Sequence, residues 1–260
     1  MEGKSADGRV GVALELREVS KRFKHRSIDL TALDRVSFSV PTGSFVSIVG
    51  PSGCGKSTLL KIILGVIPPS SGEILFDGQR VEGPQPSIGM VFQSPALLAW
   101  RSVLANVLLP AEIRRYPEGP YRERARELLA MVGLEEFSIH YPRQLSGGMQ
   151  QRAAICRALI HDPPLLLFDE PFSALDDLTR DQLNQEVLKI WERTGKTIVL
   201  VTHNIGEAVY VSDQVVVMSA RPGKVTAIVP VKLPRPRRPD VRHTTAFIDH
   251  VRLTQASLGM

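Results

Sequence analysis

Nine consecutive residues, Gly50-Pro51-Ser52-Gly53-Cys54-Gly55-Lys56-Ser57-Thr58, carry the spacing G-x-x-x-x-G-K-[ST]. A triphosphate is a dense anion that needs many donors converging from one side. Glycines let successive backbone N–H groups turn inward with no Cβ in the way, and a helix N-terminus adds the positive end of its dipole. Lys56 supplies a point charge that can reach the β- and γ-phosphates, and Ser57 offers a hydroxyl to Mg2+. Cys54 has only to be small there. Two carboxylates, Asp169-Glu170, follow the apolar run Leu165-Leu166-Leu167-Phe168. Adjacent strand residues point to opposite faces, so the two have different work. Asp169 suits Mg2+, directly or through a water, and Glu170 suits polarising a water for attack on the γ-phosphorus. Ser146, ahead of Gly147 and Gly148, is a good helix N-cap and makes a second anion-ready helix start. His203 ends the run Thr197–Val201 with Thr202, and a strand end at the same sheet edge favours a γ-phosphate contact over a purely structural role.

The elements that must hold these groups can be read in order. Leu14–Val19 reads as a strand and leads into Lys21-Arg22-Phe23-Lys24, where Phe23 is either a core residue or a platform for an adenine ring. Val36, Phe38 and Val40 alternate with polar residues. Pro41-Thr42-Gly43 then turns the chain into the β-branched run Phe45–Val49 that precedes the glycine-rich loop. A helix is expected from Ser57 to Leu64, ended by Gly65 and Pro68-Pro69. Gly72–Phe76 with Asp77-Gly78 reads as a hairpin, and Ile88–Phe92 as a strand that delivers Gln93. From Leu97 to Met131 the pattern is helical, on Val103, Val107, Leu108, Ala125, Leu128, Leu129 and Val132, which indicates a helical insertion between two strands of one sheet. Leu145-Ser146-Gly147-Gly148-Met149-Gln150 opens another helix to about Ile160. Ser173-Ala174-Leu175-Asp176 starts a long one to about Arg193, and Gln214–Met218 and Val225–Val231 complete the strands.

A chain of 260 residues is one domain with room for an inserted subdomain. No apolar run approaches the eighteen residues of a membrane span and the start, MEGKSADGRV, is polar, so the expectation is a soluble, cytosolic chain. Cys54 and Cys156 lack metal-ligand spacing, and Cys156 falls in a helical pattern as a small core residue. The net charge of +5 is concentrated between Arg221 and His243, which hold seven Lys/Arg against one acid. Such a stretch suits a nucleic acid or an anionic membrane. It suits equally a solvated tail broken by Pro230, Pro234, Pro236 and Pro239, whose removal after Leu233 spares the motifs. No aromatics are interleaved for base stacking, so nucleic acid is not an expected partner.

These motifs together resemble one family, the ATP-binding subunit of ABC transporters. The resemblance rests on the phosphate loop, Gln93, LSGGMQ at 145–150, LLLFDE at 165–170, SALD at 173–176 and His203, in the family's order. It implies an α/β fold: a phosphate-loop NTPase (RecA-like) core sheet with an antiparallel β subdomain and an inserted helical subdomain. The core would be 1–93 with 158–233, the helical subdomain with its signature 94–157, and the basic Pro/Arg-rich tail 234–260. It implies ATP and Mg2+ as cofactors, with Phe23 stacking on adenine and Gly50, Pro51, Ser52, Gly53, Cys54, Gly55, Lys56, Ser57 and Thr58 binding ATP. Ser57, Gln93 and Asp169 would attend the metal, Glu170 would be the general base and His203 the γ-phosphate switch. Ser146, Gly147, Gly148 and Asp176 would meet the ATP of an opposite subunit. The implied assembly is a homodimer on two membrane permease subunits at the cytoplasmic face of the inner membrane, served indirectly by a solute-binding protein.

A narrower likeness, to the nitrate, sulfonate and taurine importer group, is carried by Trp100-Arg101-Ser102-Val103 with Asn106 and by EPFSALD at 170–176 followed by Thr179-Arg180. Arg221-Pro222-Gly223 and LPRPR at 233–237 add to it. Ala99 and Asn204 depart from that group's usual proline and aspartate, and Asn204 bears on how His203 is oriented. The head-to-tail dimer also follows from the residues, since one chain holds one phosphate loop and one distant second anion site. Two other readings are a soluble ABC ATPase without transport and a small-molecule kinase. The first usually shows a coiled coil or tandem cassettes, and the second leaves Ser146 and Glu170 without a purpose.

Overall fold

The computed structural model describes residues 11–25 and 28–259, and the chain divides into two compact units: residues up to Pro86 with those from Trp191 onward, and Ser87–Ile190. In the first unit, β1 (Val12–His25) and β2 (Ile28–Pro41) form a long antiparallel pair. β4 (Ser71–Phe76) and β5 (Gln79–Arg80) extend it in the order β2-β1-β4-β5. The β4–β5 turn is the expected hairpin. Asp77 and Gly78 take φ of 49° and 74°, the two left-handed residues that a turn matching the strand twist needs, and Phe76 pairs with Gln79.

The same unit contains a second set of strands. β3 (Phe45–Val49) lies parallel to β8 (Thr197–Thr202) on one side and to β9 (Gln214–Met218) on the other, while β10 (Val225–Pro230) runs antiparallel to β9. All five residues of β3 are buried, as a strand covered on both faces requires. The hydroxyl of Ser47, the polar member, is satisfied by the Ser212 hydroxyl. Register sets the functional edge: Val49 is opposite Thr202, so the residues after both strands emerge side by side. α1 (Lys56–Ile63) follows the loop after β3, and α6 (Ile205–Val211) follows β8.

Residues 234–259 are not a solvated tail, contrary to that expectation. Pro239–His243 form a 3-10 turn and α7 (Thr245–Ser257) a helix capped by the Thr244 hydroxyl. Three of its cations are internally engaged. Arg235 stacks over Trp191 at 4.2 Å and donates to Val211 O and to Asp213 Oδ1, both at 2.8 Å. Arg242 lies over Tyr210 at 4.2 Å. Arg237, 6% exposed, donates through Nη1 to the carbonyls of Val209, Tyr210 and Ser212. Backbone carbonyls left over at a helix end are the physical reason: α6 is short, and its last turn takes donors from an arginine that a linear motif cannot reveal. A chain ending at Leu233 lacks all of these contacts.

In the second unit, β6 (Ile88–Val91) and β7 (Leu165–Asp169) pair in parallel, Val91 opposite Phe168. Between them lie α2 (Val103–Ile113), α3 (Glu118–Met131) and α4 (Gly147–Leu159); α5 (Asp177–Thr194) follows β7. The helical pattern starts later than its apolar spacing indicates. Residues 97–102 form a loop stitched to α2 by buried Asn106, whose amide donates to the carbonyls of Leu98, Arg101 and Ser102 and accepts from Leu98 N–H. Cys156 packs in α4 with its thiol donating to Leu128 O, and burial pushes its pKa up.

Candidate functional site

Residues 50–55 connect β3 to α1 without a side-chain cap on the helix: the N-cap position is Gly55, at φ 110°. No side-chain oxygen occupies the start of α1, and an uncapped helix start is where an anion is bound. Gly55 is required by space as well as by φ, and Gly50 by space alone. A Cβ at Gly55 would lie 2.8 Å from Leu33 Cδ2 and 2.9 Å from Ala32 O, and one at Gly50 would lie 2.9 Å from Met218 O. Lys56, 4% exposed, is drawn back over the loop, its Nζ donating to Gly50 O at 2.8 Å and Pro51 O at 3.2 Å. A ring of backbone donors with an ammonium held above it fits a polyphosphate. Ser57 and Thr58 open the helix, Ser57 exposed. Pro51, Ser52 and Gly53 are exposed and Cys54 is buried.

His203 leaves β8 beside the start of this loop, as the Val49–Thr202 pairing dictates, and it is exposed. Asn204 caps α6: its Oδ1 accepts from Glu207 N–H at 2.9 Å, and its own N–H donates to Thr202 Oγ1. The amide thus serves where a carboxylate would cap equally well. Glu207, buried, accepts from the Thr202 hydroxyl and closes this ring of bonds around residue 203. Phe23 sits on β1, 40% exposed, with Lys21 Nζ 5.2 Å from its ring centre. An exposed aromatic beside a cation is available for stacking and is not a core residue.

In the second unit, Gln93 and Asp169-Glu170 follow paired strand ends. Gln93 Nε2 donates to Ser173 Oγ at 3.0 Å, and that hydroxyl donates to Glu170 O at 3.0 Å. Ser173 is thus a bridge whose role its place in SALD did not disclose. Gln151 Nε2 on α4 also reaches Phe92 O at 3.1 Å, tying the α4 helix to the segment that carries Gln93. Glu170 is separated from Asp169 by more than strand alternation. β7 ends at Asp169, and Glu170 takes a left-handed φ of 46°. Residues 173–176 form a turn, not the start of the helix: Asp176 is the last residue before α5, and its Oδ1 accepts from Thr179 N–H at 3.0 Å. That backbone N–H, with the Thr179 hydroxyl, holds the Asp176 carboxyl below the usual range.

The same α5 start meets the start of α4. Ser146 caps α4, accepting from Met149 N–H, and Ser146 and Gly147 are exposed. A Cβ at Gly148 would lie 2.7 Å from Thr179 Cγ2, and one at Gly147 3.4 Å from Leu175 Cδ2. Ser146, Gly147, Gly148 and Asp176 therefore belong to one cluster, which sequence spacing alone leaves some thirty residues apart. Among the described residues no group of three or more His, Cys, Asp or Glu could hold a metal. A magnesium ion held by one or two protein oxygens and the substrate's own phosphates needs no such group.

A phosphate loop between a buried parallel strand and a helix, with a histidine beside it, defines a nucleotide-binding ATPase cassette. The comparisons agree. A family model described as ABC transporter matches residues 33–173. An aliphatic sulfonates import ATP-binding protein, SsuB, from Bacillus cereus is 42% identical over 226 residues, 87% of this chain and 89% of that one. A taurine import ATP-binding protein, TauB, from Rhizobium johnstonii is 50% identical over 196 residues, 75% of each chain. A solved dimeric ATP-binding cassette in a post-hydrolysis state, bound to ADP and phosphate, matches with TM-score 0.74 and 37% identity over 85% of this chain and all of that one. The chain belongs to the ABC transporter family. It is an ATP-binding subunit with ATPase activity on the ABC cassette fold, and no helix among its described residues is long and apolar enough to cross a membrane.

Proposed function

We propose that this ATPase powers import of a small anionic solute, in the class of sulfonates, taurine or nitrate, through two separate permease subunits at the cytoplasmic face of the inner membrane. A solute-binding protein would deliver the cargo. The nucleotide-binding core is 1–93 with 158–233 and the helical subdomain 94–157. ATP lies on residues 50–58 with its adenine on Phe23, and Lys56 meets the β- and γ-phosphates. Ser57, Asp169 and Gln93 would hold Mg2+, which would supply charge neutralisation on the phosphate oxygens. Glu170 accepts a proton from the attacking water as its oxygen bonds to the γ-phosphorus and the bridging O–P bond breaks, releasing ADP, and His203 donates to the γ-phosphate from the edge it shares with the loop. Ser146, Gly147, Gly148 and Asp176 complete the site from a second copy, so ATP closes a head-to-tail dimer and hydrolysis opens it. Gln93, tied through Ser173 to Glu170 and through Phe92 to α4, carries the loss of the γ-phosphate to the helical subdomain.

The observation that carries the reading is the loop after β3, where a lysine ammonium is held over backbone donors that only glycine geometry allows. The shared site is tested by mixing. Lys56→Ala in one chain and Ser146→Arg in another, each with Glu170→Gln to prevent opening, leave both homodimers with two defective sites. The heterodimer gathers both defects into one site and leaves the other intact. The expected result is an ATP-dependent dimer retaining one nucleotide only in the mixture. No mixed dimer over a wide ATP range, with both chains folded, would refute a shared site.

A further inference from the structure

The turn that carries Arg221-Pro222-Gly223 has no part in the functions above, although it joins β9 to β10 directly behind the phosphate loop. It is closed on itself by Ser219, whose N–H donates to Lys224 O and whose hydroxyl accepts from Lys224 N–H. It is also anchored on β2: Gly223 N–H donates to Ala32 O at 2.9 Å, Asp34 N–H donates to Gly223 O at 3.0 Å, and Lys224 Nζ pairs with Asp34 at 2.8 Å. From this fixed base two contacts reach the loop. Arg221 donates through both Nε and Nη2 to Gly53 O, at 3.1 and 2.8 Å. Gly223 lies so close that a Cβ there would be 2.2 Å from Cys54 O.

We propose that Arg221 and Gly223 form a brace that sets the phosphate loop in its nucleotide-binding conformation, with Arg221 a positioning residue for phosphate affinity. The proposal rests on residues 50–58 being the phosphate-binding loop. Gly53, at φ 74°, and Gly55, at φ 110°, occupy backbone states that glycine leaves as readily as it enters, so the loop needs an outside restraint to stay in one of them. The turn supplies it at two consecutive peptide planes. In a trans peptide the carbonyl and the following N–H point in opposite directions. Holding Gly53 O on the guanidinium and Cys54 O against Gly223 therefore fixes where the Cys54 and Gly55 N–H groups point. Cys54 N–H answers to Pro51 O inside the loop, and peptide planarity turns the Gly55 N–H to the side opposite Cys54 O. A planar fork is suited to this because two of its donors converge on one oxygen, which an ammonium cannot imitate.

The test is ADP and ATP affinity, measured by titration calorimetry on the full chain with Mg2+, together with the melting temperature without nucleotide. Arg221→Met is expected to raise both dissociation constants about tenfold and Arg221→Lys about threefold, since one donor of the pair remains. Gly223→Ala, which pushes Cys54 O from the other side, should match Arg221→Met. A contact that only stabilises the fold would lower the melting temperature and leave the affinity of the folded protein unchanged. If Arg221→Met does not fold, Arg221→Lys and Gly223→Ala decide. Affinities within twofold of the parent in the folded variants, while Lys56→Ala loses binding, would overturn the brace. So would Arg221→Lys indistinguishable from the parent. Undiminished binding by Lys56→Ala would instead overturn the loop assignment, and the brace with it.

Discussion

Replacing Arg237 with methionine removes the charge and all donors while keeping an unbranched stem of similar bulk, and its cost can be worked from the contacts. Three carbonyls, Val209 O at 3.1 Å, Tyr210 O at 2.9 Å and Ser212 O at 2.6 Å, take hydrogen bonds from one nitrogen at the end of α6. The two Nη1 hydrogens share these carbonyls and Nη2 donates to Val231 O at 3.4 Å, so three N–H groups are engaged. At about 2 kcal/mol each for a charged donor, roughly 6 kcal/mol of interaction is lost. Against this stands the cost of burying the guanidinium. Desolvation, and then the neighbouring Arg235, draws its pKa well below the ordinary arginine value, to about 10. That corresponds to about 3 kcal/mol recovered when the charge is deleted. The net loss is on the order of 3 kcal/mol, which for a chain of this size lowers the melting temperature by roughly 6–12 °C. Arg238 is the control, since it is the adjacent cation and is exposed, and Arg238→Met makes the same change of net charge. Differential scanning fluorimetry of both variants decides the matter. A melting temperature for Arg237→Met within about 2 °C of that for Arg238→Met would show that the buried guanidinium does not hold α6.

Two further outcomes are expected. Glu170→Gln keeps the shape of the side chain but loses the proton acceptor, so turnover should fall by about a hundredfold to ten-thousandfold. The variant should then collect as an ATP-bound dimer on size exclusion, and a monomer despite demonstrated ATP binding would count against the closed dimer. The second concerns acid. Burial, with Arg114 and Arg124 nearby outweighing Asp162, pulls the His161 pKa from 6.5 to about 4, and neither ring nitrogen has a hydrogen-bond partner. The unfolded chain takes up a proton near pH 6.5 that the folded chain refuses, so stability should decline as pH falls from about 6.5 to about 4 and level off below. Glu186, whose carboxyl burial pushes up, works in the opposite direction. The readout is therefore the difference in melting temperature between parent and His161→Leu at pH 7 and pH 5. An unchanged difference would remove His161 from the acid response.

Much of this protein is legible without coordinates because its chemistry is local in the chain. The loop 50–58 needs only a strand before it and a helix after it, and the two periodicities, alternation in β1 and β2 and the apolar run in β3, are written in consecutive residues. Helix caps are local too, which is why Ser146 could be recognised from its neighbours. What tertiary structure decided are the partners that lie far along the chain. Asn106 turns residues 97–102 out of a helix by satisfying three carbonyls at once. Ser173 links Gln93 to Glu170, and Thr179 gathers Gly148 and Asp176 into one cluster. The cations after Arg221 are the sharpest case. Composition reads them as a charged, proline-broken stretch, because it counts charges and cannot see acceptors. Folding brings to them the last carbonyls of α6, the ring of Trp191 and the back of the phosphate loop. Backbone oxygens displaced from helix and strand pairing must find donors, and only the three-dimensional path of the chain determines which arginine supplies them.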